Sequence, residues 1–256
     1  MRGSPLVTPA DLEPHGATWY KQWQISTRTV GDEVADQLRA RIHRGDLSPG
    51  NRLPSERKLC ETLGVSRLAI REGLASLRAQ GYVEVRRGQH GGSFVTALFV
   101  PYRDWWIKMR QHPGMLQEIM EYREALETTI ARLAAVRRTE DDLAELRGAL
   151  DLARDCVDAS VFRQADSAFH AALARAARNE RLLRSMLACR SELFVPANTE
   201  MVTVEGMSDT YSQHLSVLEA VVSVDGDGAA SAMAHHIQHA VHDIQGSLDS
   251  FDPTGR

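Results

Sequence analysis

Between Leu53 and Val95 the sequence admits few folds. Two short helical patterns flank a glycine turn, and an alternating stretch follows them. Ser55 opens the first pattern as an N-cap, Leu59 and Leu63 face inward, and Gly64 supplies the left-handed residue that ends it. Ser66 caps the second, whose inward positions are Ile70, Leu74 and Leu77, and Gly81 closes it. Tyr82-Val83-Glu84-Val85-Arg86 then alternates as a strand, Gly88 to Gly92 form a flexible tip, and Ser93-Phe94-Val95 returns. Ahead of this stretch, Val34, Leu38 and Ile42 recur every fourth residue in a helix from Val30 to Arg44, with a turn at Asp46-Leu47-Ser48-Pro49-Gly50. The whole reads as a winged helix-turn-helix, a module that lays its later helix in the major groove of double-stranded DNA.

The side chains on that later helix fit the task. Ser66, Arg67 and Arg71 lie in its first turn and a half, away from Ile70, Leu74 and Leu77. A hydroxyl and two guanidiniums there can meet base edges and phosphates, and arginine grips guanine bidentately. Arg57 on the preceding helix reaches for a phosphate, and Gln89 and His90 at the wing tip for the minor groove. Each arginine taken singly is equally well read as a solvated surface charge; the set on this scaffold favours DNA. Charge distribution agrees. Residues 1–97 carry 14 Lys+Arg against 10 Asp+Glu, the remainder 16 against 24, within a net charge of −4.

Over residues 30–95 the chain resembles the GntR family of bacterial transcription regulators, through Leu53-Pro54-Ser55-Glu56-Arg57, Leu63-Gly64-Val65-Ser66-Arg67 and Ile70-Arg71-Glu72-Gly73-Leu74. The resemblance implies that Arg57, Arg67 and Arg71 contact DNA, and it adds a wing-tip glycine, placed at Gly88. Leu68-Ala69 stand where members often carry a small polar pair such as Thr-Pro, a departure that leaves the operator's identity open and not the binding to DNA.

Beyond Val95 the pattern changes. A connection with Trp105 and Trp106 includes a short helix expected to pack one domain on the other. From about 114 onward the sequence is helical, with six helices near 114–137, 139–157, 160–177, 180–194, 208–223 and 227–246. The breaks fall at Arg138-Thr139, Asp158-Ala159, Asn179, Pro196-Ala197-Asn198 and Asp225-Gly226-Asp227-Gly228. Fold class is therefore mainly α: an N-terminal winged helix-turn-helix and a C-terminal all-α bundle. The division is 1–26 as an extension, 27–97 as the DNA-binding domain, 98–113 as a linker with a short helix, and 114–250 as an effector- and metal-binding domain.

Polar groups interrupt the apolar stripes of this bundle. Phe162, Ala165, Phe169, Leu173 and Ala176 share one face with Asp166, flanked by His170 at i+4. His214 lies among Tyr211, Leu215, Leu218, Val221 and Val222. The last helix turns Ala229, Ala230, Met233, Ile237, Ala240, Val241 and Ile244 inward, with His236 at the edge and His235, His239 and His242 on the polar side. An inward carboxylate is costly without a partner. One aspartate and three histidines converging inside a bundle suit a divalent zinc, nickel, iron or manganese ion. A single such histidine is more often a hydrogen-bonded core residue; three beside an aspartate favour metal. In the first bundle helix Arg123 sits within the stripe Leu116, Ile119, Met120, Leu126, Ile130 and Ala134, with Glu127 beside it. Two readings stand level: a buried Arg123–Glu127 pair, or an arginine clamping a ligand carboxylate or phosphate next to the metal.

The second domain looks like the FCD domain, the ligand-sensing domain of the FadR-type branch of the same family. The matching residues are Arg123-Glu124-Ala125-Leu126-Glu127, Asp166-Ser167-Ala168-Phe169-His170, Asn179, His214 and His236. The resemblance implies that Asp166, His170, His214 and His236 hold the ion and that a small organic acid completes its coordination. Arg123 and Glu127 become effector residues.

Function follows as a regulator, by default a repressor relieved by its effector, acting as a homodimer on a pseudo-palindromic operator. The alternative is a metalloenzyme acting on a small carboxylate with an accessory DNA module. Against it, no Ser/His/Asp set, phosphate loop or spare inward acid other than Glu127 declares itself. Three separated cysteines, Cys60, Cys156 and Cys189, point to a reducing cytoplasm. No apolar run suits a membrane span, and no signal peptide is evident.

Overall fold

The computed structural model describes residues 28–89, 91–194 and 203–250. The N-terminal extension, His90 and the break at Pro196-Ala197-Asn198 lie outside the described residues. Helices α1 (Val30–Arg44), α2 (Glu56–Leu63) and α3 (Arg67–Ala79) precede the hairpin of β1 (Val83–Arg86) and β2 (Gly92–Val95). Then come α4 (Phe99–Gln111), α5 (Pro113–Arg137), α6 (Glu140–Ala153), α7 (Ala159–Ala176), α8 (Glu180–Glu192), α9 (Val204–Val222) and α10 (Gly226–Ser250). The two strands pair antiparallel, Val83 opposite Val95 and Arg86 opposite Gly92. No described helix is long and apolar enough to cross a membrane.

Local chemistry sets the boundaries. The side chains of Ser55 and Ser66 accept from the backbone N–H of Lys58 and Ala69, as N-caps should, and Gly64 ends α2 at φ +67°. Asp158 and Asn179 cap α7 and α8 in the same way, each accepting two backbone N–H groups. Between α1 and α3 the backbones approach closely. A Cβ on Gly73 would lie 2.7 Å from Val34 Cγ1 and 2.9 Å from the Gly31 carbonyl, so only glycine allows this contact. Val34, Ala35, Leu38 and Ile42 of α1 pack here with Ile70 and Leu77 of α3.

One apolar core runs from the winged module into the bundle. Trp105 and Trp106 of α4 are buried in it, edge to face at 5.2 Å, and the Trp105 indole N–H donates to the Glu192 carbonyl at the end of α8 (2.9 Å). Trp105 thus ties α4 to the bundle. Phe194 stacks on His43 of α1 at 4.0 Å and lies near Tyr82 and Tyr102. One expectation needs correcting. In α9, Leu215 and Val222 are 36% and 38% exposed; the inward face is Met207, His214, Val217, Leu218 and Val221. Each misplaced residue lies about one residue, or 100°, around the helix from the true stripe.

Candidate metal centre and nucleic-acid interface

The predicted contacts of the winged module are exposed. Ser66, Arg67 and Arg71 are exposed at the start of α3, and so are Arg57 on α2 and Gly88 and Gln89 at the wing. Gly88 has φ +107°, which explains the glycine at the hairpin tip. The guanidiniums are held by acids of their own surface: Arg57 by Glu61 (2.6 Å) and Arg71 by Glu56 (3.0 Å). Exposed pairs of this kind are worth about 0–1 kcal/mol, so these acids hold the guanidiniums only weakly. The Ser66 hydroxyl accepts from the Ala69 N–H at 3.2 Å as the cap of α3, a role that does not use its own proton.

In the bundle, four sequence-predicted residues meet. Asp166 and His170 come from α7, His214 from α9 and His236 from α10, and one ligand atom from each lies within 4.8 Å of all the others. The three imidazoles surround a point, with centroid separations of 5.0, 5.3 and 4.5 Å. Each Nε2 is buried without a hydrogen-bond partner, and Asp166 Oδ1 lies 3.6 Å from Nε2 of both His170 and His214. Three orphaned buried nitrogens around a carboxylate are costly as they stand, and a divalent cation satisfies all of them at once. The donor set fits such an ion.

Neighbouring groups prepare these ligands. His170 donates Nδ1–H to Glu127, and His236 donates Nδ1–H to Gln213 Oε1 at 2.9 Å, which leaves each Nε2 lone pair pointing at the site. Burial above all, and then the neighbouring His170, push His214 down to about 3. Burial, His214 and His170 hold His236 well below the ordinary histidine value. Burial alone would raise Asp166, but Arg190 and the histidines more than reverse it, so the carboxylate stays ionised. His214 and His236 are therefore preset as neutral imidazoles and Asp166 as an anionic carboxylate.

Two further points differ from sequence expectation. Arg123 lines a cavity of about 180 Å³ beside the cluster, whereas Glu127 does not. Glu127 is 2% exposed and lies behind, bonded to Arg123 Nε (2.7 Å) and to His170. The two readings of this pair therefore combine: Glu127 orients both the arginine and a histidine, and Arg123 faces the cavity. Arg190, which sequence reasoning missed, ion-pairs with Asp166 and also lines the cavity. Its signal was available, because Arg190 falls four residues after Met186 and three before Leu193, on the buried face of α8.

Residues 31–95 match the family described as bacterial regulatory proteins, gntR family, and residues 118–239 match the FCD domain. The chain belongs to the GntR family, with an FCD domain as its second half. A candidate L-lactate dehydrogenase operon regulatory protein of Escherichia coli strain K12 is 34% identical over 227 residues, spanning 83% of this chain and 85% of that protein. The galactonate operon transcriptional repressor of the same strain is 31% identical over 209 residues, 78% of this chain and 90% of that one. Among solved structures, E. coli McbR/YncC superposes with a TM-score of 0.56 at 20% identity, covering 86% of this chain and 99% of its own, a likeness of fold. The GntR chain is thus a DNA-binding transcription regulator, and the metalloenzyme alternative falls with that membership.

Proposed function

We propose that this GntR regulator is a repressor whose operator binding is controlled by a small organic acid held at a divalent metal in the FCD domain. Three buried Nε2 atoms without partners, converging with Asp166 beside an arginine-lined cavity, carry the reading. Asp166, His170, His214 and His236 hold the ion, which when bound supplies a Lewis-acid anchor for the acid's carboxylate. Zinc, nickel, iron and manganese all accept this ligand set. Arg123 receives the carboxylate by charge-assisted hydrogen bonds, fixed in place by Glu127. On DNA, Arg67 and Arg71 reach base edges, while Arg57, Ser66 and Gly88 meet the backbone. A homodimer places two such modules on a pseudo-palindrome. Two relatives carry names that refer to hydroxy-acid operons, L-lactate and galactonate, which fits an acid effector.

Elemental analysis of purified protein tests the metal part. The wild type is expected to hold about one divalent ion per chain, and an Asp166→Ala/His214→Ala double variant close to none. Full retention of metal by the double variant contradicts the ligand assignment.

A further inference from the structure

The cavity beside the histidine cluster is not walled by the FCD domain alone. His43 and Arg44, in the last turn of α1 in the DNA-binding domain, line it together with Arg123, Asp166, Arg190 and His236. Most polar groups of this wall are already engaged. His43 donates Nδ1–H to the Ser191 carbonyl (2.7 Å) and accepts at Nε2 from the Tyr82 hydroxyl (2.8 Å), so it offers only a ring face. Arg163 is bonded to the His43 carbonyl and the Tyr102 hydroxyl, and Arg190 to Asp166.

Arg44 is different. It gives one Nη to Asp46 (2.8 Å), its side chain is 12% exposed, and its Nε is buried with no partner. A buried N–H of this kind calls for an acceptor. Arg44 and Arg123 therefore bring guanidiniums to one cavity from two different domains. Asp166 and Asp243 are the acidic residues on the same wall and Asp46 and Glu127 pair with Arg44 and Arg123 from behind it, so the unmet demand for an anionic group is the buried, partnerless Nε of Arg44.

We propose that the effector is a small dicarboxylate whose far carboxylate is bound by Arg44 of the DNA-binding domain, so that the effector site is shared between the domains. This deepens the acid-and-metal reading above and rests on it. One end of the ligand lies at the metal and Arg123; the other reaches α1. That helix packs on α3 through the close contact of Val34 with Gly73. A ligand touching both domains favours the arrangement in which they are docked, and docking in turn raises its affinity.

The test uses the full-length, metal-loaded chain and calorimetric titration of two matched pairs: malate against 2-hydroxybutyrate, and 2-hydroxyglutarate against 2-hydroxyvalerate. Members of a pair share the hydroxy-acid head and chain length and differ only in the far carboxylate. Wild type is expected to prefer the diacid of the fitting length by about tenfold or more. Arg44→Gln should bring that preference within about twofold while leaving monoacid affinity unchanged, and Arg44→Lys should keep part of it. Unchanged monoacid affinity also reports that the fold persists. If Arg44→Gln does not fold, the wild-type preference and its reduction in Arg44→Lys carry the test. The proposal is overturned if wild type binds both members alike, if the preference survives loss of Arg44, or if Arg44→Gln weakens both members equally, the mark of a merely structural role. If wild type binds monoacids but favours no diacid, the shared site fails and the acid reading stands. If it binds no acid of either kind, the acid reading itself falls and takes this inference with it.

Discussion

At the level of single residues, the bundle's polar centre was legible because helical periodicity is strict. His236 is 4% exposed while His235 is exposed, as a 100° step between neighbours requires. What periodicity cannot give is which atom a side chain turns to. Glu127 was therefore visible as an inward acid, but its bond to His170 was not. That bond yields a prediction. Glu127→Gln should weaken metal affinity by about 10- to 100-fold, because the histidine loses the partner that orients it; competition with a chromophoric chelator measures this. Arg190 escaped notice because an arginine beside apolar residues usually extends to solvent, whereas here Asp166 draws it inward.

At the level of elements, the winged module was read almost completely, since caps, glycines and strand alternation are local signals. Helix ends in the bundle were less legible: α9 begins at Val204, capped by Thr203, four residues before its expected start. The contact of α1 with α3 is invisible in sequence because it depends on two glycines far apart in the chain. Gly73→Ala should destabilise the protein by about 1–3 kcal/mol through overpacking against Val34, seen as a lowered melting temperature. On the recognition helix, Arg67→Ala should cost about 1–3 kcal/mol of operator binding and relax specificity at one base. Arg57→Ala should weaken binding to all sequences alike and flatten its salt dependence, as a phosphate contact does. Anisotropy titrations on varied duplexes separate these outcomes.

At the level of the whole molecule, the winged module meets the bundle where α1 packs against α8 and α7, with Tyr102 of α4 beside Phe194. His43 sits at that junction, and burial pushes it down from 6.5 to about 4. Unfolded chains take up the proton near 6.5, so between those values the unfolded state binds more protons than the folded one. The stability that neutral His43 contributes is complete above pH 6.5 and is lost as pH falls toward 4. Denaturant midpoints across that range should fall less steeply in a His43→Gln variant than in wild type. Such coupling between domains could not be read from sequence, because Phe194, Ser191 and His43 meet only in the folded chain.

The central claim is that metal-bound acid in the FCD domain controls DNA binding by the winged module. Its most direct test is the operator affinity of the full-length, metal-loaded protein, on a duplex selected from a random library, with and without an acid it binds. The account predicts that the acid lowers operator affinity by about tenfold or more, a coupling within the range of two-site regulation, and that chelating the metal abolishes the effect. An operator affinity unchanged by every acid that binds would contradict it.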